Sequence, residues 1–258
     1  MIVPSRAYFG VAALLYAACA TVTVVWCASM SALGGMSMPG GWTMSMAWMR
    51  MPGQTWLGAA AAFLAMWVVM MMAMMLPSLM PTLWRYRRAV GAEGGTRLGR
   101  LTALAGAGYF AVWAVFGLSA YPLGVALAEV AMRLPAVARA VPMAAGAVVL
   151  IAGLLQFTAW KARQLDWCRE TPGCGGVLQA DAGTAWRYGT RLGLRCSYCC
   201  AGLTASLLVV GVMDFRAMAV VTAAVNAERL AGRRVARAIG VAVMGAGFVL
   251  IAREAGLA

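Results

Sequence analysis

Cys196, Cys199 and Cys200, in the stretch RCSYCC, are the residues of this 258-residue chain best equipped for chemistry. Their spacing of i, i+3 and i+4 puts three sulfurs on one face if the segment is helical. Cys168 and Cys174 lie upstream in the preceding connection. Such a group has three uses. It can pack as small hydrophobes. It can exchange with disulfides, for which Cys196 and Cys199 form a CxxC beside Arg195, a cation that favours the reactive thiolate. It can hold a soft metal: the triplet and Cys168 supply enough thiolates for tetrahedral zinc or three-coordinate copper. A cation also neutralises thiolates that would repel one another at low dielectric. Cys19 and Cys27 stand apart, inside a long apolar run, and read as packing residues.

Methionines supply the second set of sulfurs. WVVMMMAMMLPSLMP, residues 67–81, holds six of them and no charge. On a helix Met66, Met70 and Met74 form one stripe and Met71 and Met75 an adjacent one. Methionine is an adaptable core filler, but thioethers near thiolates in a chain without histidine suit Cu(I) and suit Mg, Ca or Mn poorly. Cys174, Met71, Met74 and Met75 are therefore secondary ligand candidates beside Cys168, Cys196, Cys199 and Cys200. Zinc is the second metal this set accommodates. A further Met-rich segment, 30–51, carries seven methionines among Gly and Pro; it offers a capture surface of which zinc would make little use.

The elements that must position these sulfurs follow from charge. Hydrophobic residues make up 63% of the chain, and no charge falls between Arg6 and Arg50, Arg50 and Arg85, Arg100 and Glu129, or Arg139 and Lys161. Each gap accommodates the roughly 20 apolar residues of a spanning helix. The first apolar run is too long for a removable signal core. The sequence thus predicts an all-α polytopic transmembrane helix bundle of six or seven spans, near 7–29, 56–77, 101–124, 141–160, 196–212, 216–228 and 237–252. The sixth is short, and Pro77 should break the second because it cannot donate to the Ala73 carbonyl. Residues 1–258 read as one integral membrane domain, with an outer Met/Gly-rich loop at 30–55 and a Cys/Arg-rich loop at 161–195.

An excess of 21 basic over 8 acidic residues would suit nucleic acid, but the arginines sit in short links between apolar runs. That pattern reports orientation, since basic residues are retained on the cytoplasmic side. With seven spans and the N-terminus inside, 16 basic residues fall in cytoplasmic segments and 5 outside. The expected location is a bacterial inner (plasma) membrane, multi-pass, with the N-terminus cytoplasmic and the cysteine triplet at the cytoplasmic mouth of the fifth span. Of the carboxylates, Glu129, Asp214 and Glu228 fall at span ends, where a solvated or arginine-paired state is expected. Asn226 and Gln156 are expected to bond between helices.

MWVVMMMAMMLPSLMP, KARQLDWCRETP, GLRCSYCCAG and GVMD with a downstream Glu–Arg together resemble a bacterial domain-of-unknown-function family described as predicted metal-binding integral membrane proteins. The resemblance runs from about Met66 to Glu228. The family pattern resembles K-x-x-C-L-x-x-C-R, then G-L-x-C-x-G-C-C-W, then G-V-M-N and E-K. Lys161, Leu165, Cys168, Arg169, Gly193, Leu194, Cys196, Cys199, Cys200, Met213 and Glu228 match it. Gln164 stands where a cysteine is expected, Tyr198 and Ala201 replace Gly and Trp, and Asp214 and Arg229 replace Asn and Lys. The resemblance implies metal binding without naming the metal. Gln164 removes one ligand of a CxxxC, a place Cys174 could take from elsewhere in the loop.

The function expected is handling of Cu(I) by transport, delivery or buffering, with the lipid bilayer and a metal donor or acceptor protein as partners. The alternative is a membrane thiol–disulfide oxidoreductase using Cys196 and Cys199. No ATP-binding motif and no acidic pair inside a span speaks for a primary pump, and no catalytic residue is assigned.

Overall fold

A backbone in hydrocarbon must satisfy its own polar groups, so apolar runs of this length fold as helices. The computed structural model describes residues 5–32, 34–51, 53–94, 97–169 and 180–256. Within them lie α1 (Ser5–Ala32), α2 (Trp56–Gly94), α3 (Leu98–Arg133), α4 (Pro135–Leu155), α5 (Ala159–Arg169), α6 (Ala182–Gly211), α7 (Phe215–Ala231) and α8 (Arg233–Glu254). All but α5 and α7 are long and apolar enough to cross a membrane. The chain is an all-α, multi-pass membrane protein.

Most helices outrun their apolar stretches. α2 continues past Arg85, Arg87 and Arg88, and α6 begins at Ala182 rather than Cys196, carrying Arg187, Arg191 and Arg195 on its first turns. Arginine is a good helix former, so these helices persist beyond the bilayer edge. Much of the expected 161–195 loop is therefore helix, as α5 and the start of α6. The triplet sits mid-helix, where the arginines end and the apolar run begins, not at a helix mouth.

α2 also runs through Pro77 and Pro81 without the expected break. Neighbouring side chains hold the carbonyls around the first proline. Asn226 Nδ2 donates to the Met74 carbonyl at 2.9 Å and Ser78 Oγ to that of Met75 at 3.2 Å. Polar partners and packing by neighbouring helices make proline tolerable inside a membrane helix, although neither of these bonds goes to the Ala73 carbonyl that Pro77 frees.

Small residues set the closest helix crossings. A Cβ on Gly193 would lie 2.8 Å from the Tyr109 carbonyl oxygen, so the glycine lets α3 and α6 touch beside the cysteines. α4 and α8 interlock likewise: a Cβ on Gly153 would meet the Met244 backbone nitrogen at 2.7 Å, and one on Gly247 that of Leu150 at 2.6 Å. Only a tight turn separates α6 from α7, yet Arg229 near the end of α7 contacts Cys196 in the first half of α6. α7 therefore runs back across the bundle, although at 17 residues it is shorter than every other helix but α5.

At the opposite end, β1 (Met36–Ser37) and β2 (Thr43–Met44) pair antiparallel, Met36 opposite Met44. This hairpin covers the α3–α4 turn, where Trp42 Nε1 donates to the Ala138 carbonyl at 2.8 Å.

Candidate metal centre

α6 presents Cys196, Cys199 and Cys200 into the bundle, all three essentially inaccessible. Cys196 Sγ lies 3.8 Å from Cys200 Sγ and 3.9 Å from Met75 Sδ on α2. Cys168 comes from α5: it is buried, hydrogen-bonds with Cys199, and its Sγ reaches the Arg195 carbonyl at 3.5 Å. Three separate helices thus bring sulfur to one end of the bundle. Met71 and Met74 are equally buried, but among the described residues neither has such a sulfur contact. Cys174 lies outside the described residues. Cys19 and Cys27 are buried within α1, as packing residues should be.

Charged residues surround the sulfurs more closely than expected. Arg229 is 5% exposed, and its Nη1 donates to Ser78 Oγ at 2.7 Å, to Cys196 Sγ at 3.3 Å and to Tyr109 Oη at 3.5 Å. Tyr109 Oη in turn donates to Cys196 Sγ at 2.9 Å. Two donors, one fully charged, converge on a single sulfur. The cation at the triplet is therefore Arg229 rather than the adjacent Arg195, whose guanidinium lies over the Trp167 ring.

Glu228 is a second correction. It is neither solvated nor arginine-paired but fully buried, with Lys161 Nζ 2.5 Å from its Oε1. Lys161 also donates to the Cys199 carbonyl at 2.5 Å, so α5, α6 and α7 meet at one ammonium. Burial works against that charge, but Cys199 and Glu228 outweigh it and hold the Lys161 pKa above its ordinary value. The thiol of Cys168 is pushed up by its hydrogen bond to Cys199 and then by burial. Glu228 Oε2 has no partner among the described residues, although a carboxylate oxygen of Glu228 and the sulfurs of Cys199 and Cys200 all lie within 4.8 Å of one another. An orphaned buried carboxylate oxygen is costly, and beside two thiols it marks a place suited to a cation.

The other polar residues fall as their positions allow. Asn226 bonds from α7 to α2, and Gln156, at the end of α4, is buried with its Oε1 unpartnered among the described residues. Asp214 caps α7, accepting from the Arg216 and Ala217 amides, and Glu129 pairs with Arg133. Gln164 is buried with Oε1 unpartnered among the described residues, one turn before Cys168. Tyr109 carries no signal in the sequence, and Lys161 and Arg229 stand out there only as positions of the family pattern. The available signal was a Glu–Arg pair inside a helix too short to carry it to water.

A family model described as PpoB2, copper chaperone, matches residues 64–250, a range holding every described sulfur and charge of this cluster. No curated protein and no solved structure matches the chain.

Proposed function

Since the chain belongs to the PpoB2 copper-chaperone family, we propose that it binds Cu(I) through Cys196, Cys199 and Cys200. Cys168 and Met75 complete the sulfur set. The observation that carries this reading is the buried convergence of three thiols, a fourth from another helix and one thioether, with no histidine in the chain. Thiolate and thioether are the donors Cu(I) prefers, whereas a carboxylate is a poor ligand for it. Glu228 then acts through Lys161, holding an ammonium against the Cys199 carbonyl, while Arg229 supplies a permanent positive charge against the sulfurs. Two fixed cations and one carboxylate leave one positive charge, which offsets part of the negative charge that the deprotonated thiols carry.

The orientation consistent with the arginine distribution puts this end in the cytoplasm of a bacterial cell, in the inner membrane with the N-terminus inside. Approach from that side is through a cavity of about 400 Å³ lined by Gln156, Lys161, Arg163, Arg233 and Arg237, among others. Its basic lining suits an anionic copper donor. Delivery to, or exchange with, such a partner fits the geometry better than a pump.

The test is metal content with thiol counting on detergent-purified protein kept reduced. Copper bound by wild type and lost from a Cys196→Ser/Cys199→Ser/Cys200→Ser variant supports the reading. A metal-free protein cycling between dithiol and a Cys196–Cys199 disulfide refutes it in favour of thiol exchange.

A further inference from the structure

A second group of soft donors sits at the far end of the bundle. A cavity of about 90 Å³ there is lined by Met30, Met46, Met49, Met51, Met66 and Met213. They come from α1, the segment between α1 and α2, α2 itself, and the turn between α6 and α7. No charged side chain lines it. Tyr121, 8% exposed, lines it too, with its hydroxyl unpartnered among the described residues. The indole of Trp26 forms part of the same wall, and indole faces attract cations.

We propose that this cavity is a second metal site, one that takes a soft monovalent cation on thioethers alone. Neutral sulfur donors hold Cu(I) or Ag(I) without fixed counter-charges, whereas a divalent ion in so apolar a place would lack both hard ligands and compensation. Sequence-distant methionines meeting around a void differ from methionine used as filler, which closes voids rather than lining one. Met66 belongs both to this cavity and to the α2 stripe that continues through Met70 and Met74, all buried. Each i to i+4 step advances about 6 Å, and the row ends at Met74, next in sequence to Met75, which contacts Cys196. Buried thioethers therefore run from one site toward the other. Loading or transfer along them changes no oxidation state: one Cu–S bond forms as another breaks.

The experiment is an Ag(I) titration of the full-length protein in neutral detergent, followed calorimetrically. Wild type should bind two equivalents of different affinity. The Met46→Leu/Met49→Leu/Met51→Leu variant should lose the weaker one and keep the stronger, while the Cys196→Ser/Cys199→Ser/Cys200→Ser variant should do the reverse. The two sites thus fail independently. A second measurement needs no variant: Ag(I) should protect Met46, Met49 and Met51 of wild type from peroxide, read as sulfoxide by mass spectrometry. A single equivalent in wild type, a second one indifferent to the leucines, or unprotected methionines would overturn the proposal.

Discussion

Replacing Lys161 by methionine tests whether charge holds the sulfur end of the bundle together. The Lys161 and Glu228 side chains are 5% and 0% exposed, with Nζ and Oε1 2.5 Å apart. The variant leaves a fully buried carboxylate with no ammonium beside it. Removing one partner of a buried pair costs roughly 3–5 kcal/mol, far more than the pair contributes over an apolar replacement. At about 2–4 °C per kcal/mol for a chain of this size, Lys161→Met should melt roughly 6–20 °C below wild type. Neutralising the partner as well, in Lys161→Met/Glu228→Gln, should recover more than half of that loss. Unfolding is read with a thiol-reactive fluorophore, because all six cysteines among the described residues are buried and free. A single variant within about 2 °C of wild type, or a double variant no better than the single, would refute this account of the pair.

Met75→Leu should lower Cu(I) affinity about tenfold with little change in melting, whereas Met71→Leu should do neither, because only Met75 has a sulfur contact with Cys196; competition against a Cu(I) chelator separates them. Tyr109→Phe removes the 2.9 Å donor to Cys196 and should speed copper release by about tenfold, equivalent to roughly 1.5 kcal/mol, measured by stopped-flow transfer to chelator. Gly193→Ala puts a methyl 2.8 Å from the Tyr109 carbonyl and should lower both melting temperature and copper affinity. Gly245→Ala, with nothing within 4 Å, should instead gain about 0.5–1 kcal/mol from helix propensity.

Hydropathy made the crossings legible, because a charge-free run of about 20 residues has few alternatives to a membrane helix. The cysteine face was legible too: i, i+3 and i+4 are neighbours on any helix. Helix ends were not, since arginines that stop a hydropathy window do not stop a helix, as α2 and α6 show beyond Arg85 and before Arg195. Pro77 misled for a related reason. Its surroundings are set by packing: Asn226 reaches the Met74 carbonyl from α7, 152 residues away, which a local rule does not see.

What the sequence determined by itself was a set of helices, the sulfur-bearing face of one of them, and a ligand chemistry without histidine. Those properties follow from neighbours along the chain and from composition. Tertiary structure alone set Met75 against Cys196, put Arg229 rather than Arg195 on that sulfur, and joined Lys161 to Glu228 across 67 residues. Nothing in local spacing encodes these pairings. They exist because α2, α5 and α7 all pack against α6, and a charge buried there survives only beside the partner that other helices deliver.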